Sequence, residues 1–600
     1  MKRKQCDSAM WGRAIPQSAM WGRAIATVCA LILCASVAFA GQAKMSPDLA
    51  GNNASSQVGV IVQFSQVPTA KHHQKVFSRG GTLKRELGRF SGAAYTMPAS
   101  AVADLAADPD VVYISPDRPL RGTSTSQPAA VNDFHIATIN ASAAWAQGLD
   151  GTGIGVAVID SGIADTADMH GKKNSNASNV VYSQDFTGSG SAVDQYGHGT
   201  HVSGIIAGTG ASSKGWKYSY TFMGIADNVN LVNLRVLDQN GAGTDSEVIA
   251  AIQTAIQLKS TYNIRVINLS VGRPVWESYK ADPLCQAVEQ AWKSGIVVVV
   301  AAGNFGRDNL AGTNGYGTIT APANDPYVIT VGAMNTMGTA DRTDDVPASY
   351  SSKGPSIIDQ VVKPDLVAPG NLIDSLYFSA ETLNQEHPGF EVPQSLYVNN
   401  GTTSPSAYYY AMSGTSMAAP MVSGAAALML QQSPTLTPDQ VKARLMLTAF
   451  KNLVQSAAVT DWTTNQTFQV QADIFTVGAG YLDIQAALSN TSLAPASVGS
   501  AMSPTTAVDK YGNVILVQNG YSVLGGNSVL WGTSVLWGTS VLWGTNVNGA
   551  SVLWGTSSLE GDSVLWGTSA MDADSVLWGT SSTAAESVLW GSSAKLSDRH

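Results

Sequence analysis

Beyond its first forty residues the chain has almost no cysteine. Cys6, Cys29 and Cys34 lie near the N-terminus, and only Cys285 follows them. One thiol cannot form an internal disulfide, so the folded part must be stabilised by packing. No cysteine-nucleophile motif surrounds Cys285, so we expect it to be a small buried apolar residue.

Charge is also scarce. Charged residues make up 13% of the 600 residues, and the formal net charge is −9. No cluster of Lys and Arg suggests a basic groove, so the composition argues against a nucleic-acid partner. The chain also lacks the His-Glu-x-x-His motif of zinc proteases and any phosphate-binding motif. We therefore predict no cofactor and no catalytic metal.

The N-terminus has the pattern of an export signal. Basic residues precede an apolar run over residues 24–37, which ends in Ala38-Phe39-Ala40. A charged region, a hydrophobic region and an Ala-x-Ala cleavage site follow each other in the required order. A membrane anchor is the competing interpretation, but the run is shorter than the ~20 residues that a span needs. We predict a signal peptide over residues 1–40 and a secreted, extracellular protein.

A chain of 600 residues is too long to fold around one hydrophobic core, so several domains are expected. Two folded regions follow the signal. Residues 57–119 predict a small α+β unit, with strands at 58–64, 92–97 and 111–115 and helices at 70–79 and 100–107. From about residue 130 to 490, apolar strands alternate with helical patterns. This alternation predicts an α/β fold: a doubly wound, mostly parallel sheet with helices on both faces.

Four motifs in the second region carry residues with chemistry. Asp160 ends the apolar run 155–160, His198 lies in Tyr-Gly-His-Gly-Thr-His, Asn304 follows the run 296–303, and Ser416 lies in Gly-Thr-Ser-Met-Ala-Ala-Pro. Each motif alone has an ordinary structural interpretation, as a turn, a packed histidine or a helix cap. Asp160 and Asn304 end predicted parallel strands, however, and ligands bind at that edge of such sheets. A serine at a helix N-terminus, with a base and an acid nearby, suits a nucleophile.

The order Asp, His, Asn, Ser with these flanks resembles the subtilisin-like serine proteases, or subtilases, and the resemblance covers roughly residues 57–490. It implies a secreted serine endopeptidase with Ser416 as nucleophile, His198 as base and Asp160 as the residue that orients His198. Asn304 would donate to the oxyanion together with the Ser416 backbone N–H. The resemblance selects His198 rather than His201 as the base.

Substrate-binding residues carry over from the same family by motif. Ser270-Val271-Gly272 and Ala301-Ala302-Gly303 resemble the two walls of the pocket for the residue before the scissile bond, and Gly241-Ala242-Gly243 resembles the strand that pairs with the substrate backbone. These walls carry no charge, which predicts an apolar or tolerant preference, although Thr320 near the pocket base leaves its depth undecided. Asp168 matches a calcium-ligand position, but the spacing around it does not fit, so calcium is not predicted.

The resemblance also sets the predicted domains. After the signal peptide, residues 41–125 would form an inhibitory pro-domain and its cleavage linker, with cleavage in 120–130. Residues 126–495 would be the catalytic domain, and 496–600 a linker and repeat region. Residues 371–411 look longer than the family's usual connection into the serine motif, which predicts a surface insertion beside the cleft. The predicted partners are protein or peptide substrates and the chain's own pro-domain.

The C-terminal region is repetitive. Ser-Val-Leu-Trp-Gly recurs at 528–532, 534–538, 540–544, 551–555, 563–567, 575–579 and 587–591. A fixed period predicts a repeat architecture in which each unit is a short strand and a turn. Three interpretations compete: a β-rich capping or surface-attachment module, a cleaved secretion appendage, and a disordered tail that orders on a partner. The alternative function is therefore a surface or adhesion protein whose repeats contact the cell surface and whose protease domain serves maturation.

Overall fold

The computed structural model describes residues 44–51, 53, 55–122, 125–126, 134–171, 177–310, 312–461 and 464–508, and beyond these only short strands between 514 and 590. The predicted signal peptide, with Cys6, Cys29 and Cys34, lies outside the described residues. Within them, no helix has the length and apolar character needed to cross a membrane. Cys285 is fully buried, as predicted.

The N-terminal unit is a four-stranded antiparallel sheet with two helices on it. Its elements are β1 (Gln57–Phe64), α1 (Ala70–Phe77), β2 (Thr82–Leu87), β3 (Gly92–Pro98), α2 (Val102–Ala106) and β4 (Val111–Pro116). The strand order β2-β3-β1-β4 is that of a split βαβ fold. Strand β2 was not predicted, because only Leu87 of its six residues is buried and the edge strand therefore lacks an apolar pattern.

Most of the chain forms the second region. Its strands are β5 (Pro119–Gly122), β6 (Thr125–Ser126), β7 (Gly155–Asp160), β8 (Val180–Asp185), β9 (Asn230–Arg235), β10 (Ala242–Thr244), β11 (Ile264–Leu269), β12 (Val271–Gly272), β13 (Val297–Ala301), β14 (Ile329–Asn335), β15 (Val346–Pro347), β16 (Leu366–Pro369), β17 (Ile373–Leu376), β18 (Glu391–Pro393), β19 (Pro405–Ser413), β20 (Ser456–Thr460) and β21 (Thr467–Gln471). Its helices are α3 (His135–Thr138), α4 (Ser142–Ala146), α5 (His198–Ala207), α6 (Asp245–Tyr262), α7 (Pro283–Lys293), α8 (Thr382–Glu386), α9 (Thr415–Gln432), α10 (Pro438–Thr448), α11 (Ile474–Val477) and α12 (Ile484–Ser489). Single 3-10 turns lie at Pro47–Gly51, Gly88–Phe90, Ala99–Ala101, Ala167–Met169, Ala211–Ser213 and Gln394–Leu396.

An eight-stranded sheet is the centre of this region. Its order is β15-β14-β13-β11-β7-β9-β8, with β16 also paired to β14, and every pairing is parallel except that of β15. Strands β7 and β13 are buried along their whole length, as expected of strands covered on both sides. Helices α5 and α9 pack together, α6 packs with α7, and both pairs contact the sheet. The predicted α/β class with a mostly parallel sheet is confirmed.

The 371–411 segment forms a smaller sheet of its own. Strand β19 pairs with β17, β18 and β6, all antiparallel. Tyr408 is exposed as expected of a surface segment, but Tyr409 and Tyr410 are buried. Their hydroxyl groups remain satisfied, since Tyr409 donates to Asp168 and Tyr410 donates to a backbone carbonyl.

In the C-terminal part, beyond residue 504, the described residues form short strands. After β22 (Thr505–Val508), β23 (Val514–Gln518) and β24 (Tyr521–Ser522) come β25 (Leu542–Trp543), β26 (Val547–Asn548), β27 (Ser551–Trp554), β28 (Leu559–Glu560), β29 (Ser563–Trp566), β30 (Met571–Asp572), β31 (Ser575–Trp578) and β32 (Ser587–Trp590). The four-residue strands pair in parallel and in register, Ser551 with Ser563, then Ser575, then Ser587. The intervening strands β26, β28 and β30 form a second parallel sheet. The units that begin at Ser551 and Ser563 thus contribute one strand to each sheet; the repeats at 528–538 lie outside the described residues.

Candidate active site

Asp160 and His198 form a buried pair at the carboxyl end of β7, an interior strand of the main sheet. Asp160 is the last residue of β7, and His198 is the first residue of α5. Nδ1 of His198 lies 2.7 Å from Oδ1 of Asp160, and the Ser161 backbone N–H donates to that same oxygen at 2.7 Å. Nε2 of His198 is buried and has no hydrogen-bond partner among the described residues. The ring is therefore held at one nitrogen and presents the other.

The charge of Asp160 governs the protonation of His198. Burial by itself lowers the pKa of His198, but the Asp160 carboxylate, with a smaller contribution from Asp194, outweighs burial and raises the pKa above its usual value. Asp160 thus stabilises the imidazolium that a base must become when it accepts a proton.

A second carboxylate, Asp194, fixes the loop that leads into His198. Its two oxygens accept the backbone N–H groups of Gly197 and Thr200, each at 2.8 Å, and the Thr200 hydroxyl at 2.7 Å. These are donors at the start of α5, where the helix has no internal acceptor for them. The sequence did not single out Asp194, because a carboxylate four residues before a histidine is common in loops. His201 faces away from this loop, with Nε2 3.1 Å from the Ile373 carbonyl and 3.0 Å from that of Tyr410.

Ser416 lies at the N-terminus of α9, next to Ser270 and Asn304. Its hydroxyl donates to the Ser270 carbonyl at 3.1 Å, and the Ser270 hydroxyl donates to the Ser416 carbonyl at 3.0 Å. Oδ1 of Asn304 accepts the Thr415 backbone N–H at 3.0 Å, which orients the side-chain amide beside the serine. Since β7 and β11 are neighbouring strands and α5 packs on α9, the sheet edge brings all four predicted residues to one region.

The predicted substrate-binding strands are paired with the chain's own residues. Strand β5 is the middle strand of a three-stranded antiparallel sheet, between β10 and β12. Arg121 pairs with Ala242 on one side and with Gly272 on the other, and the Gly122 N–H donates to the Gly241 carbonyl at 3.3 Å. A Cβ atom on Gly122 would lie 3.4 Å from the His198 ring. Residues 119–122 therefore occupy the groove that the sequence assigned to substrate.

Thr320 separates the two predicted walls of the pocket. A Cβ atom on Gly272 would lie 2.7 Å from the Thr320 hydroxyl, and one on Gly303 would lie 2.6 Å from its methyl group. Thr320 is buried and donates its backbone N–H to the Ala302 carbonyl at 3.1 Å. The Thr320 side chain therefore fills the space directly beside both glycines.

The N-terminal unit is fixed to the second region by buried polar contacts. The Asp117 carboxylate accepts the backbone N–H and the hydroxyl of Ser246, both at 2.9 Å, and so caps the start of α6. Glu277 accepts from Arg118 and from the Tyr113 hydroxyl, each at 2.6 Å. These contacts hold β4 against the second region and direct β5 into the groove.

Asp168, the residue considered for calcium, is engaged by protein donors. Its carboxylate accepts the Ser212 N–H at 2.7 Å and the Tyr409 hydroxyl at 2.8 Å. Among side chains that the structure describes, no group of three or more His, Cys, Asp or Glu residues is arranged to hold a metal ion.

Glu381 of the 371–411 segment is buried against the histidine loop. Gly197 has a positive φ of 110°, and a Cβ atom there would lie 2.5 Å from the Glu381 carboxyl carbon. Burial raises the pKa of Glu381 to about 9. The folded protein therefore keeps this proton between about pH 4.5 and 9, whereas the unfolded chain loses it, so stability contributed here falls as the pH rises through that range.

Replacing Glu381 by glutamine should accordingly stabilise the protein at pH 8 and change little at pH 4. Glutamine keeps the shape of the protonated acid, and it does not have to take up a proton when the chain folds. We expect the free energy of unfolding to rise by about 1–3 kcal/mol at pH 8. The measurement is thermal unfolding at both pH values, in a Ser416→Ala background that prevents self-digestion. Glu391→Gln, a partly exposed carboxylate on the same segment, is the matched control. An equal change at both pH values for Glu381→Gln would contradict the expectation.

Comparison with known proteins places the chain in a family. The model of the subtilase family matches residues 151–480. The chain is 38% identical to the serine protease AprX of Bacillus subtilis over 304 residues, which are 50% of this chain and 62% of that protein. It is 33% identical to subtilisin E of Bacillus subtilis over 428 residues, which are 71% of this chain and 93% of subtilisin E.

A solved structure has the same fold. Fervidolysin from Fervidobacterium pennivorans, a keratinolytic enzyme related to subtilisin, superposes with a TM-score of 0.52 at 22% identity, over 76% of this chain and 64% of fervidolysin. The family match and the subtilisin relatives define the chain as a serine endopeptidase. The chain belongs to the subtilase family.

Proposed function

We propose that the chain is a secreted serine endopeptidase made as a precursor that processes itself. The observation that carries the proposal is the position of residues 119–122. They form the middle strand between the two predicted substrate-binding strands, beside the His198 ring, as a peptide substrate would.

The reaction follows from the residue types. Ser416 Oγ attacks the substrate carbonyl while Nε2 of His198 accepts the serine proton. The acyl-enzyme forms when His198 returns that proton to the leaving amine, and water then attacks the ester by the same proton transfers. Asp160 stabilises the imidazolium in both steps.

The tetrahedral intermediates carry a negative oxygen that needs donors. Asn304 supplies its side-chain amide and Ser416 its backbone N–H, at the N-terminus of α9. Losing one such donor costs about 10²–10³ in turnover, a magnitude established on subtilisin itself.

Thr320 would limit the size of the side chain before the scissile bond. Thr320 lies between the Ser270–Gly272 and Ala301–Gly303 walls and fills depth that a large side chain would need. We therefore propose a preference for small uncharged residues at this position.

The same arrangement supports residues 41–125 as an inhibitory pro-domain and cleavage linker. Strand β5 ends at Gly122 in the groove, and β6 begins at Thr125 beside β19. The maturation bond would then be one of the three peptide bonds between residues 122 and 125. Residues 123 and 124 lie outside the described part of the chain.

Secretion and the remaining domain limits complete the proposal. The export-signal pattern of residues 1–40 supports secretion, as does the similarity to a protein named as the extracellular serine proteinase of a Thermus species, which is 32% identical over 379 residues. Residues 126–495 would be the catalytic domain, and 496–600 the linker and repeats.

Intact mass and N-terminal sequence of the exported protein test the proposal. Wild type should begin at residue 123, 124 or 125, and Ser416→Ala should retain residues 41–122. If both proteins are cut alike, another protease makes the cut and self-processing is wrong. If wild type stays uncut and hydrolyses no peptide, the proposed enzyme activity is wrong as well.

A further inference from the structure

The edge of β19 that faces the active site is shared by two segments. On one edge, β19 pairs with β17, Met412 with Ile373 and Tyr410 with Ser375. Met412 also pairs with Ser126 of β6, and Tyr410 also pairs with Glu391 of β18. A strand has only two edges, so β6 and β18 lie end to end along the second one.

Strand β18 occupies the place that would follow β6. In the β6 register, Thr125 lies opposite Ser413 and Ser126 opposite Met412, so the next residue would lie opposite Ala411. The Ala411 N–H instead donates to the Phe390 carbonyl at 3.0 Å. The position opposite Ala411 is therefore taken, so a strand paired with β19 in the β6 register cannot extend past the position of Ser126.

The obstructing residues, which we call the 389–393 wall, are firmly held. Val392 is fully buried, and the Phe390 ring packs edge-on against the Tyr410 ring at 6.0 Å between centroids. The Tyr410 hydroxyl donates to the His387 carbonyl at 2.8 Å, just before the wall. A substrate that displaced the 389–393 wall would have to break these packed contacts, which requires a large free energy.

The wall is also connected to the catalytic histidine. Helix α8, which precedes it, donates the Thr382 and Leu383 N–H groups to the Gln195 and Tyr196 carbonyls, each at 3.0 Å. These carbonyls belong to the loop that ends at His198. The wall and the base thus share one support, which fixes their separation.

We propose that the 389–393 wall closes the leaving-group side of the cleft and makes the enzyme selective for substrates that turn or end there. This inference rests on the proposed function. With cleavage between residues 122 and 125, Ser126 is the second, third or fourth residue after the scissile bond. The cleft therefore takes at most four leaving-group residues in extended form. The substrate class is flexible or surface-loop peptide whose chain can bend away after that point.

A series of internally quenched peptides tests the limit. The acyl side stays constant, and the leaving side grows from one to eight residues. In wild type, kcat/KM should rise about tenfold or more up to the fourth residue and then stay within about twofold, because later residues find no strand partner. A continued gain of threefold or more from the fifth and sixth residues would overturn the inference.

A variant that loosens the wall supplies the comparison. Phe390→Gly combined with Val392→Gly removes both anchors, and this variant should gain threefold or more from the fifth and sixth residues. Tyr408→Ala is the matched control, since Tyr408 is exposed on the same segment and should leave the wild-type plateau unchanged. A double variant that folds and still stops at the fourth residue would contradict the role of the wall.

A p-nitroanilide substrate, which has no leaving-group residues, separates this inference from the proposed function. If wild type does not hydrolyse it, the proposed function fails. If wild type hydrolyses it but shows no plateau, only the wall inference fails. Should the double variant lose this activity through misfolding, a proline scan of the wild-type substrate decides. Proline should cost tenfold or more at one of the second to fourth leaving-group residues and less than twofold at the fifth; a large cost at the fifth would overturn the inference.

Discussion

Replacing Ser416 by alanine should lower kcat on a peptide substrate by about a million-fold while the protein remains folded. That magnitude is the loss measured for the nucleophile of subtilisin, a relative of this chain. The Ser416 hydroxyl donates to the Ser270 carbonyl, and alanine removes only this hydroxyl from a helix already rich in alanine, so we expect the fold to survive the change. Steady-state hydrolysis and labelling by a fluorophosphonate probe measure the effect, and the variant should not be labelled.

Ser423→Ala is the matched control for this variant. Ser423 lies two turns along the same helix, is fully buried, and donates to Asn268 Oδ1 at 2.8 Å. Its loss should reduce stability by about 1 kcal/mol and leave hydrolysis nearly unchanged. Activity of Ser416→Ala within tenfold of wild type, or probe labelling of that variant, would refute the assignment of the nucleophile.

Replacing Asp160 by asparagine should reduce kcat/KM at pH 8 by about 10⁴. The amide keeps the shape of the side chain but removes the charge that favours the His198 imidazolium. In wild type the base is neutral and active above the raised pKa of His198, so activity is lost as the pH falls through that value. Without the carboxylate the pKa of His198 falls, and the residual activity should persist to lower pH.

The pH dependence of kcat/KM for both proteins measures this shift. Asp165→Asn removes the same charge from an exposed carboxylate that is hydrogen-bonded to His170, and should change neither the rate nor the profile. A loss smaller than tenfold, or an acid limb at the same pH in Asp160→Asn and wild type, would show that Asp160 does not act through His198.

Much of the fold could be predicted because buried strands have an unbroken apolar pattern. Residues 155–160 and 297–301 are such strands, and both lie in the centre of the sheet. Exposed edge strands carry no such pattern, which is why 82–87 was missed. In the 371–411 segment, the buried positions of Tyr409 and Tyr410 depend on Asp168 and on the backbone near His387, contacts that no local pattern encodes.

Site residues could be predicted where they lie at the carboxyl ends of strands in one parallel sheet. Contacts between residues that are distant in sequence could not be predicted. Asp160 and Asn304 follow strands of one parallel sheet, so their proximity follows from topology. Glu381 contacts Gly197 from 184 residues along the chain, and only the folded structure brings them together. The same holds for Phe390 and Ala411, whose hydrogen bond limits the leaving-group side of the cleft.

The repeated C-terminal strands have a consequence for how the gene can change. We call each described twelve-residue repeat a coil; its Ser-Val-Leu-Trp strand pairs with the same strand of the neighbouring coil, from Ser551 to Ser563, Ser575 and Ser587. Unequal recombination that adds or removes one coil would leave every other pair in register and would not alter the protease region. The number of coils can therefore drift between closely related strains as tandem copies are gained and lost, independently of selection on catalysis.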